Sequence, residues 1–115
     1  MDGQPYGDIA IAAAADPSTW ELWASPTHPE TLSQRFPEFT CRCPRSGYPD
    51  FATVHLVLVP DKQVIELKHL KLWLNSFRDR QLWHKVTTAE VLESLAGAIA
   101  PHSLFVLMGY TPRGM

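Results

Sequence analysis

The chain has 115 residues, 45% of them hydrophobic, and a formal charge of −2 from 10 basic and 12 acidic side chains. That suits one compact domain with a modest core. It excludes both the basic field of a nucleic-acid binder and the charge run of an acidic tail, and no apolar run approaches the roughly 20 residues of a membrane-spanning helix.

Residues 1–18 carry small side chains and two prolines without a sustained pattern, and are expected to form a loose N-terminal segment ahead of a single domain over 19–115. An alanine-rich run covers residues 10–15, but no basic residue precedes it, so it reads poorly as a signal peptide. The expected location is the cytoplasm, where the two cysteines would stay as thiols. Trp20 and Leu22 share one face of TWELWAS (19–25), a short strand candidate. Residues 25–39 hold three prolines and read as mostly loop. FATVHLVLVP (51–60) reads as a strand: Ala52, Val54, Leu56 and Leu58 make one apolar face, while Thr53 and His55 interrupt the other. Asp61 and Lys62 turn the chain.

The period then changes. Leu67, Leu70, Leu74 and Phe77 recur at steps of three and four, one face of a helix over 65–80, and Lys68, Lys71, Asn75 and Arg78 recur on another. Thr87 and Glu90 have capping-box spacing, so a second helix is expected to start near Thr87 and to stop by Pro101. SLFVLMGY (103–110) alternates again and predicts a strand. The order is strand, strand, helix, helix, strand, an α+β class.

The two cysteines, Cys41 and Cys43, lie one residue apart in CRCPRSGYPDF (41–51). A disulfide inside so small a ring is strained. A zinc site would need His84 or His55 as a third ligand and has no second cysteine pair. A buried thiol is the plainest reading of the residue types. Context adds a fourth: Cys43 sits in a Pro/Gly-rich loop before the strongest strand, and Asp50 closes that loop. A thiolate that attacks an electrophilic carbon, with a nearby acid to handle the proton, is a sound pairing.

PEFTCRCPRSGYPDFATVHL, VIELKHLKLWLNSFRDR, the pair Trp83-His84 and YTPRG together closely resemble the NADPH-dependent 7-cyano-7-deazaguanine reductases, single-module form, of the tunnelling-fold (T-fold) superfamily. The resemblance runs from about Pro37 to Gly114, roughly two thirds of the chain. It is most specific in the CP-x-x-G-x-PDF loop and in the signature to which Glu66, Leu67, Lys68, Lys71, Leu72 and Trp73 contribute. It implies an antiparallel sheet with two helices on one face, assembling as a homo-oligomer, a ring built on five, into a barrel with base sites between subunits. It also implies a chemistry. Cys43 adds to the nitrile carbon of the 7-deazaguanine base as a thioimide, Asp50 protonates the nitrile nitrogen, and His84 delivers protons or closes the pocket. Hydride from NADPH completes the reduction to the aminomethyl product, which feeds queuosine synthesis for transfer RNA. Glu66 and the position of Lys85 recognise the base, and Lys68, Lys71 and Arg113 face the cofactor. No direct contact with nucleic acid or membrane is implied.

Three departures stand out. The family carries Glu after the active-site histidine, and this chain has Lys85. The small residue within the signature is His69, which could crowd the cofactor. The chain stops at Met115, soon after Pro-Arg-Gly, where relatives continue into a further strand, so the last strand is expected to be missing. Two other readings therefore stand beside the reductase: a non-catalytic T-fold subunit, and a relative that modifies a 7-deazaguanine without reducing it.

Overall fold

The computed structural model describes residues 7–25 and 30–112. Helix α1 covers Gly7–Ala14, followed by a 3₁₀ turn at Pro17–Thr19. Strands β1 (Leu22–Ala24), β2 (Leu32–Arg42), β3 (Pro49–Val59) and β4 (Gln63–Ile65) precede helices α2 (Leu67–Asn75) and α3 (His84–Ile99), and β5 (Ser103–Tyr110) comes last. The long strands form an antiparallel sheet in the order β2-β3-β5, and β1 and β4 pair separately.

Strand β3 is the spine. Ala52, Val54, Leu56 and Leu58 are buried on one face. On β5, Leu104, Val106, Met108 and Tyr110 pack inward by the same alternation. Helices α2 and α3 cover that face with Leu70, Trp73, Leu74, Val91, Leu95 and Ile99, and Phe77 joins them from the turn after α2. Each fully buried side chain of this kind contributes about 1.5–3 kcal/mol relative to exposure. Leu67, expected on the core face, is 45% exposed at the first position of α2, and Trp73 fills the core beside Trp20 and Phe77 instead.

Three expectations change. The N-terminal segment is not loose throughout: α1 packs on α2, Ala14 is buried, and Ala14 O accepts a hydrogen bond from Trp20 Nε1. The chain therefore has three helices among its described residues, not two. The region expected as loop holds most of β2, an 11-residue strand. Pro37 has no N–H to give to a ladder, and the sheet absorbs it in a register shift between Phe36 and Phe39 on an edge strand. Pro26 and Pro29 lie outside the described residues. Finally, α3 begins at His84, three residues before Thr87, and the capping box does not form. Thr87 is buried one turn into the helix, its hydroxyl donates to Trp83 O, and Glu90 pairs with Arg80. At its other end α3 closes on Ala100 at φ 41°, just before Pro101. No helix among the described residues is long and apolar enough to cross a membrane.

Candidate active site

The β2–β3 hairpin presents Cys43. Arg42 pairs with Pro49 and Cys41 with Asp50, so the six residues between the strands form the loop. Cys43 N–H donates to Tyr48 O, and Cys43 O accepts from Gly47 N–H, both at 2.9 Å. Gly47 adopts φ +73°, open to glycine without strain. This tight return turns the Ser46 hydroxyl, then the Ser46 and Arg45 amides, toward the Cys43 sulfur, and they hold its thiol below the ordinary value. The neighbouring Asp50 charge opposes them weakly. Cys41 has the opposite environment. It lies within β2, fully buried, and burial above all pushes its thiol up. Both cysteines are free, and neither joins a group of three metal-ligating side chains among the described residues.

Asp50 stands at the head of β3 with its carboxylate 12% exposed, and its Oδ2 lies 3.1 Å from His84 Nε2. His84 is the first residue of α3, and its ring stacks on Tyr110 at 3.6 Å between centroids and 7° between planes. Cys43, Pro44, Asp50, Trp83, His84 and Lys85 line one open cavity of about 510 Å³. Lys85 has no ion-pair partner among the described residues, and Trp83 is 56% exposed at the rim. Four of the residues singled out in the sequence thus meet in one place. A thiol whose pKa is lowered, an acid, and an imidazole touching that acid can add sulfur to an unsaturated carbon and supply the proton.

Glu66 does not join them. It is the N-cap of α2, and its carboxylate accepts from the Lys68 and His69 amides at 2.9 and 3.1 Å, which holds its pKa down. It lines a separate cavity with Glu21, Lys68 and His69. His69 Nδ1 turns to Glu66 Oε1 at 3.4 Å. From Glu66 the chain runs back along α2 to Arg80, whose carbonyl accepts from Arg42 N–H beside the hairpin. That path puts Glu66 on the order of 20 Å from the cysteine loop of its own chain. Lys68 and Lys71 are exposed one turn apart, and Lys71 shares a cleft of about 280 Å³ with Arg35, Glu38 and Asn75. Arg113 lies outside the described residues. Ser46 and Tyr110 belong to the site and were not singled out as site residues in the sequence. Ser46 is three residues from Cys43 in a glycine turn, a local signal. Tyr110 is 26 residues from His84 and needed the register of β5.

Residues 49–115 match the family model described as QueF-like protein. A protein of Aquifex aeolicus named NADPH-dependent 7-cyano-7-deazaguanine reductase is 46% identical over 112 residues, which cover 95% of this chain and 83% of that protein. One of the same name from Acaryochloris marina is 51% identical over 78 residues, covering 68% of this chain and 54% of that protein. Among solved structures, the apo form of an archaeosine synthase QueF-Like matches with TM-score 0.59 at 21% identity, covering 76% of this chain and 93% of that one. That match speaks for the fold alone.

Proposed function

The chain belongs to the QueF-like protein family, and from that premise we propose that it reduces the nitrile of 7-cyano-7-deazaguanine to the aminomethyl group with NADPH. The observation that carries this reading is the shared cavity of Cys43, Asp50, His84 and Lys85. Cys43 Sγ, its pKa lowered by the Ser46 hydroxyl and the loop amides, attacks as the thiolate and forms the bond to the nitrile carbon, and the nitrogen takes its proton from Asp50, giving a thioimide on Cys43. His84, in contact with the Asp50 carboxylate, returns a proton to it. The cation set on α2 fits a phosphate-bearing cofactor: Lys68 and Lys71 are exposed on one face, and Arg35 adds a second positive charge to the Lys71 cleft. NADPH supplies hydride, two equivalents per nitrile. Arg113 is proposed to join this cation set.

Glu66 is proposed to meet the amidine-like edge of the base, where a carboxylate accepts two N–H bonds. Its distance from the cysteine of its own chain means that it does so in the site of a neighbour. The T-fold reading provides for this, since sites between subunits arise when the short sheets close into a barrel. A ring built on five is the proposed form. The product would serve queuosine synthesis for transfer RNA, in the cytoplasm.

Lys85 favours a second reading, a T-fold subunit that binds a base or a paralogue without catalysis. A cation lines the cavity where the family has a carboxylate, and repels a base N–H. The experiment is NADPH consumption on adding 7-cyano-7-deazaguanine to the purified chain. Consumption at two NADPH per base supports the reductase. Base binding without consumption supports the second reading.

A further inference from the structure

We infer that Tyr110 is the positioning residue for His84: its ring fixes the plane of the imidazole so that Nε2 stays on the Asp50 carboxylate. This rests on the reading of Asp50 and His84 as the proton-handling pair.

The geometry is specific. Aromatic pairs that merely fill a core favour offset or edge-on contacts, with centroids about 4.5–7 Å apart. Trp20–Trp73, Phe39–Phe77 and Trp73–Phe77 all do so, at 4.8–5.5 Å and 51–73°. His84 and Tyr110 instead lie face to face at 3.6 Å and 7°. The face of an aromatic ring attracts a cation, so the stack holds whether or not the imidazole carries its second proton. That suits a group through which protons pass.

Both sides of the stack are held unequally. His84 is exposed in the first turn of α3, with 53% of its side chain open to solvent, and besides Tyr110 its ring meets the Asp50 carboxylate. Tyr110 is fixed. It pairs with Ala52 in the ladder to the central strand, and the next amide, Thr111 N–H, donates to Phe51 O at 2.8 Å. Its hydroxyl is buried among Thr87 and Cys41 without a well-aligned hydrogen bond, and burial pushes its ionisation far up. The Thr87 hydroxyl beside it donates to Trp83 O. Tyr110 is therefore wedged beneath the first turn of α3 by its ring, and the ring face is what the site uses.

The test compares Tyr110→Leu with Tyr110→Phe. In proton NMR of the unmodified protein, the His84 ring protons are expected upfield from ring current, identified by their loss in His84→Gln. Tyr110→Leu returns them to ordinary positions, and Tyr110→Phe keeps them upfield. In nitrile reduction, Tyr110→Leu lowers kcat about 10- to 100-fold, the scale of a displaced catalytic group, with KM for NADPH unmoved, and Tyr110→Phe recovers most of the loss. His84 signals at the same positions in the unmodified and Tyr110→Leu proteins overturn the inference, as does equal activity of the two variants. A Tyr110-dependent shift in a protein that reduces no nitrile upholds the positioning and overturns only the functional reading.

Discussion

Only Arg42 separates Cys43 from Cys41, and the two are chemically unlike. One thiol receives a hydroxyl and two amides in an open cavity, and the other is sealed within the sheet. Because the Cys43 pKa is lowered, its thiolate persists to lower pH than that of an ordinary cysteine and is lost only as pH falls through the depressed value. Iodoacetamide should label Cys43 at pH 7 about 100-fold faster than Cys41, which reacts only when the sheet opens. Ser46→Ala should move the labelling midpoint of Cys43 to higher pH and leave Cys41 unchanged. Equal labelling of both thiols by mass spectrometry would remove the distinction. The nitrile base should likewise form an adduct on Cys43 that survives Cys41→Ala. Lys85 is the other decisive residue. An unsatisfied buried donor costs about 1–3 kcal/mol, so Lys85→Glu should tighten binding of 7-cyano-7-deazaguanine about 5- to 150-fold if the position faces the base. Calorimetry giving one affinity for both proteins would mean that Lys85 points to solvent.

At the level of elements, legibility followed period and stopped at exceptions to propensity. Strand β5 lies at Ser103–Tyr110, as its alternation predicts, and β3 keeps the apolar face read from Ala52 to Leu58. Strand β2 was hidden because Pro37 argues against a strand, and only the edge position and the register shift make it tolerable. Thr87 and Glu90 imitate a capping box and so point to a later start for α3, whereas Trp83 caps the helix without a side-chain bond. That choice places His84 in the first turn, beside Asp50. The gathering of Cys43, Asp50, His84 and Lys85 follows from this turn and the hairpin, while the separation of Glu66 could not be read from a motif that lies on one helix. The far end of α3 carries a measurable strain. Ala100 is left-handed, which costs a residue with a Cβ about 1–2 kcal/mol. Ala100→Gly should therefore stabilise the fold by about 1 kcal/mol and raise Tm by a few degrees, with NADPH turnover unchanged. A lower Tm would show that the chain entropy lost with alanine outweighs the strain.

On the scale of the molecule, the two groups of candidate site residues face different cavities, and this bears on assembly. The cysteine loop lies at one end of β3. Glu66 lies at the start of α2, on the order of 20 Å away. The sheet itself ends in two edges, β2 and β5, and edges are commonly closed by pairing with another chain. If the base site forms between neighbours, one subunit gives Cys43, Asp50 and His84 and the other gives Glu66. Two defective proteins should then repair each other. Cys43→Ala removes the nucleophile. Glu66→Gln keeps an oxygen to cap α2 but removes the anion that would meet the base. Each alone should fail to form the thioimide with 7-cyano-7-deazaguanine. After dissociation and reassembly of an equal mixture, about one quarter of the sites should pair an intact Cys43 with an intact Glu66, as random placement around a cyclic ring requires. Intact-mass spectrometry reads the adduct directly and does not depend on NADPH or on the later hydride steps. Recovery of adduct near that fraction, with light scattering that reports a multiple of the chain mass, would locate the site between subunits. Mixtures no better than either variant, from a protein that scatters as a monomer, would mean that Glu66 serves α2 alone and that base recognition belongs to the cavity of Cys43.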